Sequence, residues 1–412
     1  MIRRDFLTVL GGGASSLVTG RGGLFNPSKN DSPELEKRAA KIIREYDAQG
    51  IHRTATEVDN RSARWLGKLV RSNGAAMSLI PFNISRVDPL AAYIQIGDRR
   101  IEGLPIFDAA FTEASGITDT LGPLGSDAQI GLVEAPPNAE YGPTYSKLRR
   151  ETKHRAIVLI TTGSAKGLSP INGSEFEKPY GPPILQVSNT ETEFVKQKAG
   201  EVTPVKFFAF VKRTNTTALN VMGHIKGTDP SLPPIVVMTP RSGWWQCASE
   251  RGGGLVCWLE TMRALSAARP ARECIFIASS GHEIGHIGLD HFLDENNKLV
   301  PNARIWLHLG ANIGAAVEPG HRLQCSEDEL ERISLEEFEK TGAKIDEKIA
   351  RGTVPFGEAG NIHRRGGHYI SIVGRNGMFH SPHDRWPSAV DIKMVAKFAS
   401  AFSQMALRFA GA

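Results

Sequence analysis

The chain has 412 residues, 41% of them hydrophobic and 23% charged, with a formal net charge of +5. That length supports one large core plus a smaller unit. Lys and Arg are scattered, with no aromatic-interleaved basic patch, which argues against a nucleic-acid partner. No apolar run reaches the ~18 residues of a spanning helix, which argues against a stable membrane span.

Taken in chain order, the first signal is Arg3-Arg4-Asp5-Phe6-Leu7, followed by a weakly apolar, Gly-rich stretch over 8–19. It resembles a twin-arginine export signal. That implies the twin-arginine machinery as a partner, a periplasmic or secreted location, and a protein that folds before export. No small-x-small cleavage site follows, and residues 1–30 are set aside as signal and linker. Cys247, Cys257, Cys274 and Cys325 show no C-x-x-C spacing, so one disulfide and four buried thiols both stay open.

Residues 31–89 read as helical. A charged helix spans 33–49, with Ser32 as N-cap and Pro33 at the first helical position. A second spans 57–72, where Ala63, Leu66, Leu69 and Val70 fall near helical spacing and Asn73-Gly74 makes a stop. Residues 90–212 change character: short β-like runs at 92–96, 129–133, 156–160, 184–187 and 207–211 are joined by Gly- and Pro-rich loops. They predict a small β-rich unit. Within residues 213–412, strands at 218–225, 234–238, 274–278 and 303–309 alternate with helices at 252–267, 288–294 and 391–409. The pattern predicts an α/β fold, a mostly parallel sheet sandwiched by helices, with the β-rich unit inserted.

In such sheets chemistry sits where strands end. Glu250 follows the 234–238 strand, His282 and Glu283 follow 274–278, His308 ends 303–309, and His380 precedes the last helix. Any one alone is more often a structural hydrogen-bonding group. Carboxylates and imidazoles at successive strand ends together make a metal-site pattern.

The arrangement resembles the zinc aminopeptidase and glutaminyl cyclase superfamily, in which five ligands come from five such loops. The resemblance places the bridging carboxylate at Glu250. It places the general base and the next ligand at His282 and Glu283 of Ser280-Gly281-His282-Glu283-Ile284-Gly285. The last ligand falls at His380 of Phe379-His380-Ser381-Pro382-His383-Asp384. Two positions depart from the family: its first His is replaced within Thr239-Pro240-Arg241, and its second Asp by Gly310 of His308-Leu309-Gly310. The resemblance therefore implies one zinc per chain, held by Glu250, Glu283 and His380. It also implies metal-dependent hydrolysis of an amide or peptide-like bond in a peptide or small molecule. The order of runs in 90–212, ending in Gly181-Pro182-Pro183-Ile184-Leu185-Gln186-Val187, resembles the protease-associated domain. The changed ligands leave two rivals: an inactive relative that binds its ligand, or cyclisation, lyase or ring-opening chemistry on the same fold.

His282-Glu283-Ile284-Gly285-His286 also matches H-E-x-x-H, which on a helix would put both imidazoles on one face. Gly281, Gly285 and Gly288 weaken a helix there. Candidate substrate contacts are His308, Arg251, Asn312 and the pair Trp244 and Trp245; a packed aromatic pair and a loop cap are the plainer alternatives. His368 reads as a solvated loop residue, and Ser242 lacks the G-x-S-x-G context of a nucleophile.

Overall fold

A computed structural model describes residues 32–412. The Arg3-Arg4 segment lies outside them. Thirteen strands among the described residues join in one mixed sheet. Its spine is a pair of long antiparallel strands, Ala76–Ile96 and Thr203–Ile225. The run expected at 92–96 is the end of the first, and the runs at 207–211 and 218–225 are one continuous strand.

At one end the spine is joined by Arg99–Pro105, Ile184–Val187, Ala156–Thr161, Ile130–Ala135 and Ile117–Pro123, in that order. These seven strands close into a ring, because Ile117–Pro123 pairs with Thr203–Ile225 and Arg99–Pro105 with Ala76–Ile96. The inner four of these strands are parallel neighbours, and helices Pro143–Glu151 and Thr192–Gly200 accompany them. The segment thus carries two nine-residue helices beside its strands. Both are too short to leave a clear helical period in the sequence.

At the other end the sheet continues through Cys274–Ser279, Ile235–Pro240, Ile305–Leu309, Tyr369–Arg375, Gly320–Cys325 and Glu347–Lys348. Cys274–Ser279, Ile235–Pro240, Ile305–Leu309 and Tyr369–Arg375 run parallel. Their alternate side chains feed two cores. Ile235, Val237, Phe276, Leu307 and Ile370 meet helices Gly252–Ala268 and Ile392–Ala410 on one face. Val236, Met238, Ile277 and Trp306 meet helix Ile287–Glu295 on the other. Burial on both faces explains the unbroken apolar runs of these strands.

His308 shares the second face with Trp306, since strand side chains alternate. Tyr369–Arg375 and Gly320–Cys325 are short strands set among Gly-rich loops, and the sequence reading passed over both. The four cysteines are free and buried. No described helix is long and apolar enough to cross a membrane.

Candidate functional site

The parallel strands end beside a cavity of about 510 Å³. One wall comes from the strand-end loops, with His282, His308, Asn312 and Glu358; the opposite wall comes from residues 137–169, with Tyr141 among them. Tyr141 meets Phe356 edge-on, ring centroids 5.5 Å apart, so the walls touch across the mouth.

Glu358 is the centre of the strand-end wall. Its Oε1 accepts from His282 Nδ1 at 2.6 Å, and its Oε2 lies 3.3 Å from His308 Nε2. His308 Nδ1 is 2.8 Å from Ser371 Oγ, its direct partner on the neighbouring strand. Burial raises the Glu358 carboxyl, but His282, His286 and His308 outweigh it and hold it well below the usual range. Burial, with help from the Arg251 guanidinium, pushes His282 down to about 4, so its imidazole is neutral near pH 7. The rings of His282 and His286 stack at 5.1 Å. Among the described residues, His282, His286 and Glu358 are a group of three whose ligand atoms all lie within 4.8 Å of one another.

The H-E-x-x-H segment is not a helix. A single 3-10 turn covers His282–Ile284 between Gly281 and Gly285, both left-handed, and His286 is itself left-handed at φ 62°. Non-glycine residues rarely adopt that backbone, and such positions gather at functional sites. Asn312, at φ 65°, and His380, at φ 55°, share it.

The ligand set expected from the resemblance does not converge. Glu250 and His380 do approach, with His380 Nε2 3.5 Å from Glu250 Oε1. The third member, Glu283, is turned elsewhere: Oε1 accepts from the Thr54 amide at 2.6 Å and Thr54 Oγ1 at 2.7 Å, and Oε2 from Ser242 Oγ at 2.7 Å. The buried guanidinium of Arg251 lies 2.7 Å from Glu250 Oε1, while its Nε donates to Ser242 O at 2.6 Å. A fixed cation already balances Glu250, and two ligands remain. This set does not fit a metal ion in this arrangement, although both Glu250 oxygens and His380 Nε2 lack a well-aligned hydrogen bond.

Other expected residues sort plainly. His308 and Asn312 line the cavity. Arg251 is buried behind it as the partner of Glu250. Trp244 donates to Asn172 Oδ1 at 2.9 Å, and Trp245 to the His380 carbonyl at 2.8 Å, so both brace loops. Ser242 is consumed by Glu283 and by the amides of Gly281 and His282. His368 pairs with Glu327 at the surface. Arg241, in the loop where the family's first His belongs, reaches Asp59 at 2.7 Å in a fully buried ion pair. The sequence reading missed Glu358 and Asn361. Only the glycines around them, in Phe356-Gly357-Glu358-Ala359-Gly360-Asn361, hinted at a shaped loop.

No family model matches the chain. It is 24% identical over 281 residues to Aminopeptidase YwaD of Bacillus subtilis (strain 168), spanning 65% of this chain and 59% of that protein. The chain thus covers less than two thirds of that relative. Among solved structures, a zinc aminopeptidase from Bacillus subtilis superposes with TM-score 0.71 at 18% identity, covering 90% of this chain and 95% of that one. A Peptidase M28 precursor from Shewanella amazonensis SB2B gives 0.73 at 15% identity, covering 92% and 96%. An aminopeptidase from Aneurinibacillus sp. strain AM-1 gives 0.67 at 14%, covering 92% and 96%. In fold, then, the chain is a zinc-exopeptidase-like α/β protein, built as these bacterial aminopeptidases are.

Proposed function

We propose that the protein is a metal-dependent hydrolase of an amide or peptide-like bond, with the reaction in the cavity between the strand ends and residues 137–169. The observation that carries this is Glu358, buried at the cavity wall and clasped by His282 and His308. Hydrolysis needs a group that takes a proton from water beside a polarised carbonyl. His308, held by Ser371 at Nδ1 and facing Glu358 at Nε2, would orient that carboxylate beside the reacting water. The relatives named zinc aminopeptidases make zinc the metal of choice. It would supply carbonyl polarisation and water activation.

The cavity's size suits a small peptide or a molecule of similar bulk. Asn312 and Asn376 line its wall and hydrogen-bond to each other, Asn376 Nδ2 donating to Asn312 Oδ1 at 3.1 Å. We read residues 90–212 as an inserted unit that roofs the cavity, with the Tyr141–Phe356 contact as its seal.

The Arg251–Glu250 pair favours a second reading: a relative that binds peptides without cleaving them. A panel of aminoacyl p-nitroanilides, dipeptides and N-acyl amides, offered to the zinc-replete protein, separates the two. Turnover of at least one class, abolished by a chelator, is expected. Saturable peptide binding with no turnover of any class would overturn the hydrolase reading.

We also propose export. Changing Arg3 and Arg4 to Lys should leave the full chain in the cytoplasm, judged by fractionation; unchanged export would refute it.

A further inference from the structure

The geometry points to a divalent-metal site formed by His282, His286 and Glu358, displaced from the set Glu250, Glu283 and His380 that the family resemblance implies. It rests on the hydrolase reading only for the use of the ion; its position rests on the following geometry.

Three ligand atoms from these residues lie within 4.8 Å of one another, and His282 and Glu358 are buried. Three protein ligands with a water completing the tetrahedron is the arrangement of catalytic zinc. The spacing of H-E-x-x-H is used, but not as a helix. Left-handed backbone at Gly281, Gly285 and His286 folds the segment back on itself and stacks the two imidazoles. The acid of the motif, Glu283, faces Thr54 and Ser242 and is left out. Glu358 arrives instead from the start of the short helix Ala359–Arg364.

The hydrogen bonds around His286 fix its tautomer. Asn361 Nδ2 donates to Asp290 Oδ1 at 2.8 Å, and a carboxylate can only accept. The amide oxygen therefore faces His286, whose Nδ1 stands 2.9 Å away and must carry the proton. Nε2 is left with a free lone pair. A histidine whose second nitrogen is pinned by a polar neighbour is the usual form of a metal ligand. Asp290 is held in turn by Arg365 at 3.0 Å. On the opposite side, His308 and Ser371 fix the second oxygen of Glu358. The ion would take the place of the proton now between His282 Nδ1 and Glu358 Oε1, and His282 would carry its one ring proton on Nε2 instead, remaining a neutral ligand.

The test measures metal directly. Untagged protein is loaded with Zn²⁺, dialysed and analysed for elemental content, and its Co²⁺ form is recorded by visible absorption. About one ion per chain and a tetrahedral Co²⁺ spectrum are expected. His286→Ala and Glu358→Gln should weaken binding at least ~100-fold, and Asn361→Ala about 10-fold. Near-UV circular dichroism of the metal-free proteins checks that each variant is folded. Glu283→Gln and His380→Ala should keep the ion. Loss of the ion in either of those with retention in His286→Ala would overturn the site, as would no bound ion in the zinc-replete wild type. If the ion binds as expected and the substrate panel stays silent, the site stands and the hydrolase reading fails.

Discussion

Gly310 stands where the resemblance expects an aspartate, and the structure gives a reason. A Cβ there would lie 2.7 Å from Ile372 O, 2.8 Å from Val373 Cγ2 and 2.9 Å from His308 Cε1. The His308 ring takes up the room. Gly310→Asp should therefore destabilise the fold, lowering the thermal midpoint, without creating a second metal site; a second bound ion at unchanged stability would contradict this. Arg241 tells a similar story. Its buried pair with Asp59 ties the helix Glu57–Ser72 to the strand end Ile235–Pro240. Arg241→Ala should cost about 3–5 kcal/mol in urea unfolding, because it leaves a buried carboxylate unpaired; a cost below ~1 kcal/mol would show the pair to be dispensable. At this scale the sequence was a partial guide. Residues at strand ends could be picked out, and His282 and His308 do reach the cavity. The direction of Glu283 could not be read, because it depends on Thr54 and Ser242, far away in the chain. Glu358 has no spacing relation to the histidines it joins.

The loop 280–288 is the element that decides the chemistry. Gly285 has φ 85°, and a Cβ there would stand 2.5 Å from Ser174 O. The adjoining Gly173 amide donates to Glu283 O at 2.9 Å, so the loop is pinned against the inserted segment. Gly285→Ala should distort it, costing roughly 1–3 kcal/mol by backbone strain and weakening metal binding along with stability. An unchanged melt and unchanged metal content would show that the loop does not depend on this turn. The sequence warned that these glycines disfavour a helix, and that physical reasoning held: the segment is a single turn. The apolar strands Ile235–Pro240 and Cys274–Ser279 and the helices Glu57–Ser72 and Gly252–Ala268 were legible because burial on both faces, or helical spacing, leaves a pattern. The strand Gly320–Cys325 was not, since its run Gly-His-Arg-Leu-Gln-Cys is mostly polar, and Tyr369–Arg375 was passed over between its flanking glycine loops.

Across the whole molecule, buried neutral histidines are one source of acid sensitivity. His52 stacks on Tyr46 at 3.8 Å, and burial pushes its pKa down to about 3. A depressed imidazole contributes stability that is fully present above its ordinary pKa of about 6.5. It is lost as pH falls toward 3, at up to about 1.4 kcal/mol per pH unit. His52→Gln should flatten the acid limb of urea-unfolding stability between pH 6 and 4; an unchanged slope would place the acid sensitivity in other groups. The spine of two long strands carries the inserted segment over the strand ends, and the cavity exists only because both parts meet there. That closure depends on pairings between residues more than a hundred positions apart, which no local pattern in the sequence records. The reacting centre we propose is Glu358 with its histidines, not Glu283 with Glu250. Its most direct test compares amide hydrolysis by Glu358→Gln and Glu283→Gln on one substrate, with thermal midpoints recorded for both. A fall in kcat/KM of at least ~100-fold is expected for Glu358→Gln, and for Glu283→Gln a lower thermal midpoint with much smaller loss of rate. Hydrolysis abolished in Glu283→Gln and preserved in Glu358→Gln would contradict it.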